Sequence, residues 1–154
     1  MSDSNNRSIN AATSNETAES ASHTLNEASI TEFAQQFDPQ PYHLDKTAGL
    51  NSIFGDLCAS GWQVAALGTR LIGEALTNNG YAFVALTSVE SMRWKRPTFV
   101  DESLIAQIVI KARHALCAVP DCETLVVEAT IVNDTNKVVA VMRCKAAVDT
   151  RVNA

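Results

Sequence analysis

The stretch SGWQVAALGTRLIGEALTNNGYAFVALTSVE, residues 60–90, changes its hydrophobic period part-way along. In its first half Trp62, Ala65, Ala66, Leu67, Leu71, Ile72 and Leu76 recur at helical spacing and spread apolar surface over most of a helix circumference, with Ser60 placed to cap it. A helix of that kind is buried. Asn78, Asn79 and Gly80 end it, and from Tyr81 onward the period falls to two. Residues 81–93, 103–113, 123–132 and 138–148 read as strands rich in Val, Ile, Leu, Ala and Thr, and 133–137 supplies a hairpin turn. Helices come first and strands after, without β-α-β alternation. That order predicts an α+β fold in which an antiparallel β-sheet packs on one long central helix.

Working back toward the N-terminus, Ile30, Phe33, Ala34 and Phe37 mark a short amphipathic helix with Ser29 as its expected cap. Pro39 and Pro41 are expected to end it, which makes residues 38–43 a stiff, extended loop. A second short helix is expected over 46–54, closed by Gly55. Residues 1–28 are dominated by Ser, Thr and Asn and hold almost no bulky apolar side chain, so they predict a disordered polar leader before a domain spanning 29–150.

Composition excludes several classes of function. A chain of 154 residues with 46% hydrophobic residues has enough material for one ordinary core. Its net charge of −5 offers no basic face for nucleic acid. No apolar run approaches the roughly 20 residues that span a bilayer, and no basic patch precedes a hydrophobic segment, so the expectation is a soluble, cytoplasmic protein with no membrane partner. Cys58, Cys117, Cys122 and Cys144 are too few for a secreted disulfide scaffold and lack the paired spacing of a zinc site; they are read as free thiols, with no metal expected.

One motif stands out chemically. FDPQPYHLD, residues 37–45, sets the carboxylate of Asp38 five positions before the imidazole of His43, with two prolines between. By spacing alone, an Asp after a helix is a cap or turn residue and a His near Pro is a loop residue, and an acid–base pair is the alternative. The stretches FAQQFDPQPYHLD, LCASGW and RWKRPTFVDESL resemble the MaoC-like acyl dehydratases, a family related to the (R)-specific enoyl-CoA hydratases. The resemblance covers roughly residues 30–148. It implies the hotdog fold, in which an antiparallel sheet wraps a long helix, and a homodimer or larger homo-oligomer.

The resemblance also implies a chemistry. Hydrating a double bond conjugated to a thioester requires a base that takes a proton from water and an acid that delivers one to the α-carbon. Asp38 and His43 fall at the catalytic positions, Asp38 as the principal base and His43 as the group that orients water and handles the second proton. The thioester oxygen gathers negative charge in such a reaction, and the Gly61 N–H at the start of the long helix is the implied oxyanion donor, with Gly61 allowing close approach of the ligand. Ser60 stands where many relatives carry His. Ser60, Trp62, Arg93 and Arg96 are candidate substrate contacts, the two arginines with Lys95 toward the phosphates of coenzyme A. No cofactor is implied, since coenzyme A enters as part of the substrate; the partner is an acyl-CoA or acyl-carrier thioester. The expected function is a lyase acting on 2-enoyl/3-hydroxyacyl thioesters, against two alternatives on the same fold: an acyl-CoA thioesterase and a non-catalytic acyl-CoA-binding subunit.

Overall fold

A computed structural model of the chain describes residues 12–153. Six strands form one antiparallel sheet: β1 (Ala12–Glu19), β2 (His23–Thr24), β3 (Ala82–Trp94), β4 (Ser103–His114), β5 (Cys122–Asn133) and β6 (Val138–Asp149). The order across the sheet is β1-β4-β5-β6-β3, with β2 continuing beside β4. Four helices precede β3: α1 (Glu27–Phe37), α2 (Pro41–Leu44), α3 (Lys46–Leu50) and the long α4 (Gly61–Asn78). From α1 onward the helix-then-strand order read from the period change is the one observed, but β1 and β2 precede it. No helix among the described residues is long and apolar enough to cross a membrane.

The face of the sheet toward α4 alternates large and small side chains across neighbouring strands. Ala106, Ile131 and Ala140 align across β4, β5 and β6, and Ile108, Ala129 and Met142 form the next row. All six are buried. Small residues on α4 let the helix settle close to this surface: a Cβ added at Gly68 would lie 2.9 Å from Cδ1 of Ile131, and one at Gly73 would lie 2.7 Å from the ring of Phe83. Leu71, Ile72, Ala75 and Leu76 complete the contact with no exposed surface.

The N-terminal region differs from the expected leader. Residues 1–11 lie outside the described residues, but 12–28 carry two strands and the start of α1, and β1 pairs with β4 along its length. Polar contacts hold the segment, which a count of apolar residues does not register. Ser20 exchanges hydrogen bonds with Ala106, its N–H donating to the carbonyl at 3.0 Å and its Oγ accepting from the amide at 2.9 Å. The Tyr81 hydroxyl donates to Oε2 of Glu16, and His23 Nε2 lies 3.0 Å from Oε1 of Glu74 on α4. α1 also begins earlier than expected, because Asn26, not Ser29, caps it by accepting the Ser29 N–H at 2.9 Å.

The proline loop is shorter than expected. Only Asp38, Pro39 and Gln40 form it, and Pro41 opens α2 at the first helical position, where its missing N–H costs nothing. Asp45 then caps α3, accepting from the Ala48 N–H at 2.8 Å. α3 stops at Leu50, and a turn through Gly55, whose φ is +77°, leads to Leu57 in place of the longer helix expected over 46–54.

Candidate active site

Asp38 is the C-cap of α1 and His43 lies on α2, so the turn between two short helices sets their relative positions. Nε2 of His43 lies 3.4 Å from Oδ2 of Asp38. The imidazole is buried, and its Nδ1 sits 2.6 Å from the carbonyl oxygen of Cys58. A carbonyl can only accept, so Nδ1 carries a proton and donates. Nε2 is thus the ring atom turned toward the Asp38 carboxylate, and the two side chains sit close enough to act on one water.

Ser60 joins the pair to the central helix. Its hydroxyl donates to Oδ2 of Asp38 at 2.7 Å and accepts from the N–H of Trp62 at 3.2 Å, so the α4 cap also fixes the carboxylate. Gly61 follows at the first helical position, where the N–H has no acceptor within the helix and the helix dipole favours negative charge. His43 and Gly61 line one cavity of about 320 Å³ together with Tyr42, Phe54, Val64 and Trp94. Asp38 is not part of that wall; it reaches the cavity through its contact with His43.

Cys58 borders the same cavity with Sγ 3.7 Å from Nδ1 of His43. Burial, reinforced by the nearby Asp56 carboxylate, pushes its thiol up to about 11. It is thus a neutral neighbour of the imidazole at physiological pH.

The other expected contacts separate. Arg96 lines the cavity, and its Nε is shut off from solvent with no hydrogen-bond partner among the described residues. Arg93 is exposed on β3 and outside the cavity wall. Trp62 is largely exposed and borders a neighbouring groove. The close approach at Gly61 is made by a protein group: a Cβ added there would lie 3.0 Å from Nε1 of Trp94, and the indole N–H donates to the Gly61 carbonyl at 2.7 Å. Sequence reasoning missed Trp94, Tyr42 and Phe54. An aromatic at the end of a strand looks like any sheet residue, and only its basic neighbours Arg93, Lys95 and Arg96 stand out in the sequence.

A sheet wrapped on a long helix, with an Asp–His pair at the helix start, defines a hotdog protein of the hydratase and dehydratase type. The chain belongs to the MaoC-like domain family, whose model matches residues 9–139. Among solved structures it is similar to a MaoC-like dehydratase from Rhodospirillum rubrum, with 30% identity, a TM-score of 0.72, and coverage of 90% of this chain and 93% of that one. It shares its fold with an (R)-hydratase from A. caviae involved in PHA biosynthesis, at 22% identity and a TM-score of 0.60 over 93% of this chain and 98% of that one. The same holds for the C-terminally truncated HadBC complex, a 3R-hydroxyacyl-ACP dehydratase from Mycobacterium tuberculosis, at 13% identity and a TM-score of 0.70 over 88% and 97%. No curated protein matches the chain.

Proposed function

We propose that the chain is a hydro-lyase that adds water reversibly across the double bond of a 2-enoyl thioester to give a 3-hydroxyacyl thioester. The observation that carries the reading is the 3.4 Å approach of His43 Nε2 to Asp38 Oδ2 beside a cavity that also holds Gly61. Water held at the pair gives a proton to Asp38 while His43 keeps its oxygen aimed at C3. The new C–O bond forms at C3, the double-bond electrons move toward C2 and the thioester oxygen, and the Gly61 N–H meets the charge that gathers there. The proton held by the pair then passes to C2. The two residues end as they began, the C–S bond stays intact, and no cofactor is consumed; coenzyme A or an acyl carrier is part of the substrate. Arg96, with an unpaired Nε in the cavity wall, Lys95 beside it in the same wall, and the exposed Arg93 are cations available to its anionic groups.

The active form in this reading is a homodimer. β3 is an edge strand of the sheet, and Val84 and Val89 on it are 47% and 51% exposed. An apolar strand edge of this length invites pairing with a second copy. Light scattering at working concentration should give twice the chain mass; a monomer mass would remove this part of the proposal.

A paired assay tests the chemistry. With a trans-2-enoyl-CoA, the protein should bleach the enoyl-thioester absorbance and release no thiol. Thiol release from acyl-CoA would instead point to a thioesterase. Binding with neither signal would point to a non-catalytic subunit.

A further inference from the structure

Two spaces meet at the first turn of α4. One is the cavity of about 320 Å³ that holds His43 and Gly61. The other is a groove of about 520 Å³ between α4 and β3, lined by Trp62, Ala65, Ala66, Val89, Met92 and Met142. Consecutive residues of α4 divide between them, Gly61 facing the cavity and Trp62 the groove.

The partition is a pair of indoles. Trp94 lines the cavity and Trp62 the groove, and their rings meet edge to face with centroids 5.2 Å apart and planes inclined by 76°. Trp94 is fixed at two points. Its N–H donates to the Gly61 carbonyl at 2.7 Å, and its ring lies so close to Gly61 that an added Cβ would be 3.1 Å from Cε2. It cannot slide toward the helix, and Trp62 backs it on the groove side.

The wall matters because of what lies on either side. A cavity of about 320 Å³ must take the thioester carbonyl, C2, C3 and a water, which itself fills about 30 Å³. These groups fill less than half of that volume, and the remainder sets how long an acyl chain the cavity holds. Beyond the indoles the groove is mainly apolar, with Thr69, Glu90 and Ser91 as its polar part; two alanines open it and two methionines border it, whose unbranched side chains adapt to irregular apolar ligands.

We infer that Trp94 is a specificity-determining residue that closes the end of the acyl site and limits the acyl chain to what the cavity holds, with the groove behind it as a blocked extension. The inference rests on reading the His43 cavity as the thioester site.

The test is a binding measurement that needs no turnover. S-(2-oxoalkyl)-CoA thioethers keep a carbonyl near the sulfur and have no bond to hydrolyse; a series from four to ten alkyl carbons is titrated calorimetrically against the full chain. Wild-type affinity should fall about tenfold or more between the shortest and longest members, since each methylene that finds no room is costly in a closed apolar site. Trp94→Ala should flatten or reverse that order. Trp94→Phe keeps most of the wall but loses the indole N–H, and should keep the wild-type order. Trp94→Val gives the same readout should the alanine variant not fold.

Equal wild-type affinity for all lengths, or a uniform shift of every length in Trp94→Ala, would overturn the inference. Length-dependent binding without hydration in the absorbance assay would sink the proposed reaction and leave the wall standing. Hydration with length-independent binding would do the reverse.

Discussion

The Ser60 hydroxyl donates to Oδ2 of Asp38 over 2.7 Å while accepting the Trp62 N–H, so one buried side chain caps the central helix and orients the carboxylate that faces His43. Ser60→Ala removes both contacts. Loss of the cap should lower stability by about 1 kcal/mol. The freed carboxylate should lower kcat by about tenfold or more, because small misplacements of a reacting group are expensive. Thermal melts and steady-state kinetics separate the two effects; a stability loss with unchanged kcat would make Ser60 a cap alone.

Asp38→Asn keeps the shape of the side chain and removes its ability to take a proton. It should fold normally and lose on the order of 10²-fold or more in hydration rate. His43→Ala should cost a comparable factor, and the double variant should be far less than multiplicatively worse, since the pair acts on one water. An Asp38→Asn protein that melts early with its activity per folded molecule intact would show the residue to be a helix cap.

The buried thiols make a prediction about alkaline pH. Burial raises Cys58 to about 11, helped by Asp56, and raises Cys144 to about 12, helped by Glu90, from an ordinary value of 9.0. Below pH 9 both thiols are neutral folded or unfolded, and the shift leaves stability unchanged. Above it the unfolded chain ionises first, so stability falls as pH rises from about 9 through 11. Denaturant midpoints measured across that window should fall, and Cys58→Ala with Cys144→Ala should flatten the decline. At pH 8 the Cys58 thiolate fraction is about 10⁻³, so alkylation of the native protein at that site should be slow.

The N-terminal strands give a deletion experiment two arms. Removing residues 1–25 exposes the β4 edge and deletes the buried Leu25, so the melting temperature should fall and aggregation should rise. Removing residues 1–11 alone keeps β1 and β2 and their pairing partners on β4, and is the reference against which the longer deletion is read. Equal behaviour of the two deletions would mean that β1 adds nothing to the fold.

The sequence by itself determined the parts of this protein that depend on local pattern. The period change at Asn78–Gly80 separated the central helix from the strands, Ser60 marked the helix start, and β3 to β6 lie within one or two residues of their expected bounds. Asp38 and His43 stood out because a carboxylate and an imidazole on a proline-marked turn are chemically conspicuous, and the family resemblance implied the roles proposed for them. Tertiary structure alone decided what depends on contacts between distant segments. Polar residues 12–19 became a strand because β4 offered an unpaired edge, and ladder hydrogen bonds do not require apolar side chains. Pro41 began a helix, since its effect depends on whether the residues after it can close a turn. The acceptor for the His43 Nδ1–H is the Cys58 carbonyl, 15 residues on, and the indole against Gly61 comes from the far end of β3. A backbone carbonyl has no signature in a sequence, and neither does the distance between a glycine and a tryptophan 33 residues apart.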